Sequence, residues 1–288
     1  MLKLVSQIKA ALETPNSVPW LPEITDELAG IGWDALGRGI GLTTNNYCTA
    51  RVISSDSCTP QNIISRISIP PSLGQLKSTI CVECLSKKFT RKYCEAGIRF
   101  YTHEEINDSE VLNCLEDAIG LLSQVPTIMP TIATLVRTLH LIKVEDDDYD
   151  VSFSEPHIPF SIFVSVPRKL MSTDALRVAE AILHEAMHLQ LTLIEQVIPL
   201  VSSANREYFS PWRGEYRTAQ GVLHAIYVFR VIYRFLEQLF PIKDSTSEMT
   251  EHIQSRLGEI SMQIHEIRSF QDCPDLTVIG TRFVRSLI

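Results

Sequence analysis

The stretch DALRVAEAILHEAMHLQLTLIEQ, residues 174–196, decides the fold because its apolar residues recur at helical spacing. Thr173 precedes the stretch as a candidate N-cap and Pro199 follows it, so the pattern predicts one long helix. Within it, His184 to His188 read HEAMH, an HExxH motif. Two histidines four residues apart leave a helix on the same side, so both imidazoles can reach one metal ion.

The segments around this helix predict the fold class. Residues 109–124, 131–142 and 245–270 have helical patterns, and 217–239 predicts a second long apolar helix. The run SIFVSV, residues 161–166, lies between prolines and is rich in strand-forming residues. We therefore expect a mainly α fold with a small β-sheet (α+β), in which the HExxH helix packs against the second long helix.

The domain organisation is predicted from a change in regularity near residue 108. Residues 1–108 are mixed, with helical patches at 2–12 and 22–36 and an isoleucine-rich run at 61–70 that suits either a strand or a helix. Regular patterns begin after this point. We expect an N-terminal region packed on a catalytic domain that comprises residues 109–288.

Composition narrows the class of protein. The chain has 288 residues, 45% of them hydrophobic, as expected for a folded protein with a substantial core. Its net charge of −8 argues against a nucleic-acid partner, and no segment has the pattern of a secretory signal or a membrane span. Seven cysteines, an odd number without regular spacing, predict reduced thiols and a cytoplasmic protein. The oligomeric state is not predicted.

Two imidazoles do not complete a metal site, and the third ligand discriminates between chemistries. A catalytic zinc takes three protein ligands, and non-heme Fe(II) oxygenases use a facial triad with open positions. The metzincin pattern HExxHxxGxxH is excluded, because Leu191 and Ile194 occupy its last two positions. Glu207 has the downstream spacing that a zinc peptidase of the gluzincin type would use, although its segment is typical of a loop.

His224 is the other candidate for the third ligand. It lies in GVLHAIYVF, early in the second long helix, where a lone histidine is more often a core residue than a ligand. Packing of this helix on the HExxH helix would nevertheless bring it towards the motif. A site of His184, His188 and His224 is therefore a reasonable alternative to one that uses Glu207.

Four sequence blocks in a fixed order carry a family resemblance: PFSIFVSVP, ALRVAEAILHEAMHLQL, SPWRGEYR and GVLHAIYVF. Together they resemble the HExxH domain found in gene clusters for ribosomally made, modified peptides. The likeness covers about residues 109–240, roughly half of the chain. It implies an Fe(II)- and 2-oxoglutarate-dependent oxygenase that hydroxylates the β-carbon of a side chain in a peptide. The implied partner is a precursor peptide encoded nearby.

The resemblance also implies roles for individual residues. The implied iron ligands are His184, His188 and His224. Arg213 or Arg217 would bind 2-oxoglutarate, because the planar guanidinium matches a carboxylate with two parallel hydrogen bonds. Glu185 would orient a ligand or contact the substrate, since a hydroxylase needs no hydrolytic base.

Two other functions stay open at the level of the sequence. The first is a zinc metallopeptidase in which Glu185 activates a metal-bound water and Glu207 is the third ligand. The second is a non-catalytic binding or structural domain in which the histidines and the glutamate form only a buried polar cluster.

Other cysteines and histidines give weaker indications. Cys81 and Cys84, with Cys94, hint at a structural zinc knuckle that His103 or Cys58 would complete, but scattered core thiols are the favoured interpretation.

Two further histidines are expected to be structural, and two serines are weak candidates for a functional role. His140 is expected to be a packed or capping residue near a helix end, and His157 a turn residue. Ser161 and Ser165 share one side of the predicted strand and are weak candidates for contact with an extended peptide.

Overall fold

The computed structural model describes most of the chain. The described residues are 2–13, 18–37, 63–69, 78–107, 109–144, 151–155, 158, 160–167, 171–202, 206–240 and 247–288. The acidic run at 145–148, Cys58 and His157 lie outside the described residues.

Helices make up most of the regular structure within the described residues. They are α1 (Leu2–Glu13), α2 (Pro22–Gly37), α3 (Lys87–Glu95), α4 (His103–Ile106), α5 (Ser109–Ser123), α6 (Met129–Leu135), α7 (Asp174–Val197), α8 (Ala219–Leu239), α9 (Ser247–Glu266) and α10 (Val278–Leu287). A 3₁₀ helix, Arg268–Asp272, follows α9. In this described part of the chain, no helix has both the length and the apolar character that crossing a membrane requires.

The described strands form a six-stranded mixed sheet and a two-stranded hairpin. They are β1 (Ile63–Ile69), β2 (Ser78–Glu83), β3 (Arg99–Phe100), β4 (Thr138–Val144), β5 (Ser152–Ser154), β6 (Ser161–Pro167), β7 (Glu207–Ser210) and β8 (Glu215–Thr218). The large sheet has the order β1-β2-β4-β6-β5, and β3 pairs with the far part of β4. β2, β4 and β6 run parallel, whereas β1 and β5 are antiparallel to their neighbours.

The chain divides into two compact units. One unit comprises Met1–Leu28 and Gln190–Ile288, and the other comprises Ala29–Leu189. The second unit contains the large sheet, α3 to α6 and most of α7 with the HExxH motif. The first unit contains α1, the last turns of α7, the β7–β8 hairpin and α8 to α10. The predicted domain boundary after residue 108 stays a prediction.

The expected fold class is confirmed as a mixture of helices and sheet. The HExxH helix, the second long helix and the SIFVSV strand lie where the sequence predicted them. One expectation was wrong, and one helix was not predicted. Residues 138–142, predicted as the end of a helix, belong to the central strand β4, and α10 follows the last predicted helix. In β4 the run TLHLI is buried at every position, which removes the periodicity that distinguishes a strand from a helix.

His140 is a core residue of the sheet and not a helix-end residue. It lies on β4 with 1% of its surface exposed, and its Nδ1 donates a hydrogen bond to the Glu83 carbonyl oxygen at 3.1 Å. Its ring lies 4.8 Å from that of Phe163, centroid to centroid. Burial lowers the pKa of His140 to about 4, because the charged imidazolium is poorly solvated there.

We expect His140 to make the protein less stable in mild acid. Its folded pKa of about 4 lies below the ordinary value of 6.5, so the unfolded chain takes up the proton first as pH falls. The stabilisation is complete above pH 6.5 and is lost towards pH 4, with a loss of about 2 kcal/mol between pH 7.5 and pH 5. Urea unfolding at both pH values measures it. His140→Gln, which does not titrate, should lose less stability than the wild type over the same interval, and an equal loss would contradict the assignment.

Gly280 makes a close backbone approach that no other residue type can make. It lies in the first turn of α10, and a Cβ built on it would lie 2.0 Å from the Leu200 carbonyl oxygen. Thr277 caps this helix and also donates through its Oγ1 to the Pro199 carbonyl oxygen at 3.0 Å, so the helix start is bonded to that segment. The contact cannot relax by rotation of a side chain.

Gly280→Ala is therefore expected to destabilise the protein by about 1 to 3 kcal/mol, the range for an overpacked interior. Gly258→Ala is the matched control, because Gly258 lies within α9 and a Cβ there would meet nothing within 4 Å. The control should stabilise by up to about 1 kcal/mol through helix propensity. Thermal or urea unfolding measures the midpoint of each variant. A shift of both midpoints in the same direction from the wild type would contradict the prediction.

Candidate functional site

The start of α7 is fixed by a buried carboxylate. Asp174 is 1% exposed and accepts hydrogen bonds from the Met171 amide at 2.7 Å and from Arg177 Nη1 at 3.1 Å. A negative charge in the first turn also interacts favourably with the helix dipole. The helix then buries apolar residues before and within the motif, among them Ile182, Leu183, Ala186 and Met187. The motif is thus presented by a firmly anchored helix.

The two histidines of the motif converge as their spacing predicts. His184 Nε2 and His188 Nε2 lie 3.1 Å apart, and 26% of the His184 side chain is exposed. Two nitrogens that each lie about 2.1 Å from one ion are about 3.0 Å apart at a right angle and about 3.4 Å apart at the tetrahedral angle. The observed separation fits two ligands of one metal ion, and it also fits a direct hydrogen bond between the rings.

Glu185 is buried beside the two imidazoles. It is 3% exposed, its Oε1 lies 4.0 Å from His184 Nε2, and the same oxygen accepts a hydrogen bond from Ser152 Oγ at 2.8 Å. Ser152 belongs to β5 of the large sheet. A carboxylate in this position can act on a molecule bound at the imidazoles, or it can orient them.

The third metal ligand is not identified by geometry. Among the described residues, no three His, Cys, Asp or Glu side chains are grouped closely enough to hold an ion together. The two imidazole nitrogens are ligands that suit zinc, iron, nickel and copper. The motif therefore supplies two ligands of a suitable chemical type, and the completion of the site stays a prediction.

His224 lies in a second polar cluster, which belongs to the unit that contains α8. Its Nε2 donates to Glu195 Oε2 at 2.9 Å, and Gln220 Nε2 donates to the same oxygen at 2.8 Å. Glu195 follows His188 by seven residues on α7, so both side chains leave this helix on the same face. The nitrogen proposed as a ligand is thus held by a carboxylate of the motif helix.

The two candidate arginines lie on the β7–β8 hairpin. Arg213 is in the turn, where its amide donates to the Ser210 carbonyl oxygen at 3.2 Å, and its side chain is exposed. Arg217 lies on β8 with its Nε 4.0 Å from Glu215 Oε1, and 41% of its side chain is exposed. Both guanidinium groups are open to a dissolved anion. Glu207, expected in a loop, lies on β7 and is also exposed.

The described cysteines do not form the zinc knuckle that was the less favoured interpretation of Cys81, Cys84 and Cys94. Cys81 is buried on β2, where Arg66 Nη1 lies 3.2 Å from its sulfur, and Cys84 donates to the Tyr101 carbonyl oxygen at 3.5 Å. Burial raises the pKa of Cys84 to about 11, which disfavours the thiolate that binds metals. Cys94 is a free thiol as well. The interpretation as scattered core thiols agrees with these positions.

The weak indication that Ser161 and Ser165 contact a peptide is wrong for a topological reason. β6 lies inside the sheet, between β4 and β5. Ser161 Oγ lies 2.6 Å from Thr138 Oγ1, and Ser165 Oγ accepts from the Val151 amide at 3.0 Å. Both hydroxyl groups are therefore used within the sheet.

The sequence does not single out Ser152 as a partner of Glu185, and it favours a solvated Glu195 over a partner of His224. Ser152 lies in VSFSEP, where polar and apolar residues alternate as in a half-buried strand, and this alternation could have indicated β5. Glu195 lies at helical spacing from His188, which could have placed it on the motif face.

Comparison of the chain with protein-family models and with curated proteins found no match.

Proposed function

We propose that this protein is an Fe(II)- and 2-oxoglutarate-dependent oxygenase that hydroxylates the β-carbon of a side chain in a peptide. The observation that supports the proposal is the convergence of His184 Nε2 and His188 Nε2, 3.1 Å apart, beside the buried Glu185. The order of blocks that resembles peptide-modifying HExxH domains supplies the reaction class. The substrate class is a ribosomally made precursor peptide, met in the cytoplasm.

The proposed iron ligands are His184, His188 and His224. Bound iron would supply the oxidising power for the reaction when 2-oxoglutarate and oxygen are present. His184 and His188 would hold it through the two converging nitrogens. His224 is proposed from the sequence blocks, together with the expectation that the HExxH helix packs on the second long helix. To act as a ligand through Nε2, His224 must give up its hydrogen bond to Glu195.

Glu185 is proposed to position the reactants and not to act as a hydrolytic base. Ser152 fixes one carboxylate oxygen, and that oxygen faces the Nε2 side of His184. A carboxylate held in this way can orient an imidazole or accept a hydrogen bond from the substrate. Arg213 or Arg217 is proposed to bind the distal carboxylate of 2-oxoglutarate, because each offers an exposed guanidinium.

The test is an anaerobic reconstitution with Fe(II), followed by an assay for succinate after oxygen is admitted. The substrate is a peptide encoded by a short open reading frame next to the gene. We expect succinate in the presence of the peptide and a peptide mass increased by one oxygen atom. Absence of succinate under all conditions, together with zinc-dependent cleavage of the peptide, would overturn the proposal.

A zinc metallopeptidase is the second candidate, and the position of Glu185 favours it. A buried carboxylate oxygen 4.0 Å from His184 Nε2, a proposed metal ligand, is suitably placed to activate a metal-bound water. Glu207 would be the third ligand in that case. Glu185→Gln separates the two candidates, because it should abolish peptide cleavage but leave iron binding in place.

A further inference from the structure

We infer that β5 binds the backbone of an extended peptide, which joins the six-stranded sheet as an additional strand beside Glu185. This inference rests on the proposed function for the nature of its ligand, a peptide, and it adds where that peptide lies. β5 is at one end of the strand order, and none of the described strands pairs with its other side. Addition of a strand at a sheet edge is a common way to bind peptides.

The register of β5 on β6 determines which backbone groups face outward. Ser165 N donates to the Val151 carbonyl oxygen at 2.9 Å, so these two residues form a hydrogen-bonded pair. Phe153 and Phe163 are opposite each other two residues along, and they form the next such pair. The N–H and C=O groups of Ser152 and Ser154 therefore point away from β6. They present two donors and two acceptors along the edge.

The side chains of β5 determine what the added strand would face. Ser152 points to α7, where its Oγ bonds Glu185, whereas Phe153 points to the opposite face and stacks on Phe163 with ring centroids 4.4 Å apart. Side chains of an added strand alternate in the same way. Every second side chain of the peptide would project to the face that carries Glu185. This alternation suits an enzyme that modifies one side chain and leaves its neighbours unchanged.

An extended peptide fits this edge better than a second copy of the chain. β5 has only three residues, so pairing between two copies would form few hydrogen bonds for the ordering of two large molecules. A peptide also loses conformational freedom when it binds. It forms the same backbone hydrogen bonds as a second copy would, and it adds contacts near Glu185. Because the bonds involve main-chain atoms, binding at β5 should tolerate many peptide sequences.

Ser154→Pro tests the edge directly. Proline removes the outward N–H of residue 154 and is tolerated on edge strands whose N–H faces solvent, so the bonds to β6 stay intact. Ser154→Ala is the matched control, since it keeps the N–H and removes only the exposed hydroxyl. The probe is the tightest binder from a library of acetylated, amidated decapeptides, measured by fluorescence anisotropy on metal-free protein. We expect the proline variant to bind at least about tenfold more weakly and the alanine variant within twofold.

A scan of the peptide provides a second test that needs no protein variant. Backbone N-methylation along the bound decapeptide should weaken binding at alternate positions, because only every second N–H of an added strand faces β5. Equal affinity of the wild type and a folded Ser154→Pro variant, no period of two in the scan, or no binder in the library would overturn the inference. A change in oligomeric state without a change in peptide affinity would also overturn it. Since binding is measured without metal, failure of the oxygenase assay leaves this result independent.

Discussion

Replacement of His184 or His188 by alanine is expected to abolish stoichiometric iron binding and to lower the rate of succinate formation by more than about 100-fold. Changes to residues that only support a metal ligand already cost about 10- to 100-fold. Loss of a direct ligand should cost more. The two variants should behave alike, because their nitrogens converge on one position.

His265→Ala is the control for these variants. His265 lies near the end of α9 with an exposed side chain, so its loss removes an imidazole without touching the motif. The measurements are metal content after reconstitution, succinate formation and the thermal unfolding midpoint. If either motif variant kept full iron content and activity, the metal site would lie elsewhere. A different result would be that the wild type binds no iron and that the motif variants match it in metal content and stability. In that case, the histidines and the glutamate would form only a polar cluster.

A second pair of variants tests the third ligand. If His224 is a ligand, His224→Ala should lower the affinity for iron. Glu195→Gln should retain iron, because it leaves the His224 nitrogen free to bind. If His224 serves only as the partner of Glu195, both variants should keep iron and change stability alone, since they break the same hydrogen bond. The comparison therefore separates a ligand from a structural partner.

The motif helix could be predicted from sequence because its signals are local. The apolar spacing of residues 174–196 and the i, i+4 histidines depend only on helix geometry, and the structure places both as expected. The hydrogen bond from Ser152 to Glu185 joins residues 33 positions apart, which no local pattern specifies. Its strand is three residues long, and the alternation that can indicate this strand does not indicate that Ser152 meets Glu185.

The central strand β4 could not be predicted from the sequence, for a different reason. β4 lies between β2 and β6, and its residues 138–142 are buried on both faces. The short alternation of Thr138 and His140 with leucines ends at Ile142, so it is a weak signal for a strand. The preceding helix α6 ends at Leu135, only three residues earlier, and the sequence offers no glycine or proline to mark that end. The local sequence therefore favours a continuous helix. Residues 138–142 form a strand because they pair with β2 and β6, which lie far away in the chain.

Binding of 2-oxoglutarate is expected to depend on one of the two arginines of the β7–β8 hairpin. Either Arg213→Ala or Arg217→Ala should raise the KM for 2-oxoglutarate by about 100-fold, while iron content stays unchanged. Loss of one partner of a buried, hydrogen-bonded charge pair costs about 2 to 5 kcal/mol, and 100-fold corresponds to about 2.7 kcal/mol. The expected effect therefore requires that bound 2-oxoglutarate shields the guanidinium from water. Lysine at the effective position should restore only part of the affinity, because an ammonium group cannot make two parallel bonds to a carboxylate.

The structure provides a way to choose between the two arginines. Arg217 lies over the start of α8, where a Cβ on Gly221 would be 3.3 Å from its Nε, so its stem is supported on one side. Arg213 projects from a turn, next to Gly214 with its φ of 65°. A supported guanidinium loses less freedom on binding, so we expect the larger effect at Arg217. Arg234→Ala, on the exposed side of α8 and paired with Glu237, is the control and should leave KM within about twofold. If both hairpin variants matched this control, neither arginine would bind the cosubstrate, and the proposed oxygenase would need a different carboxylate site.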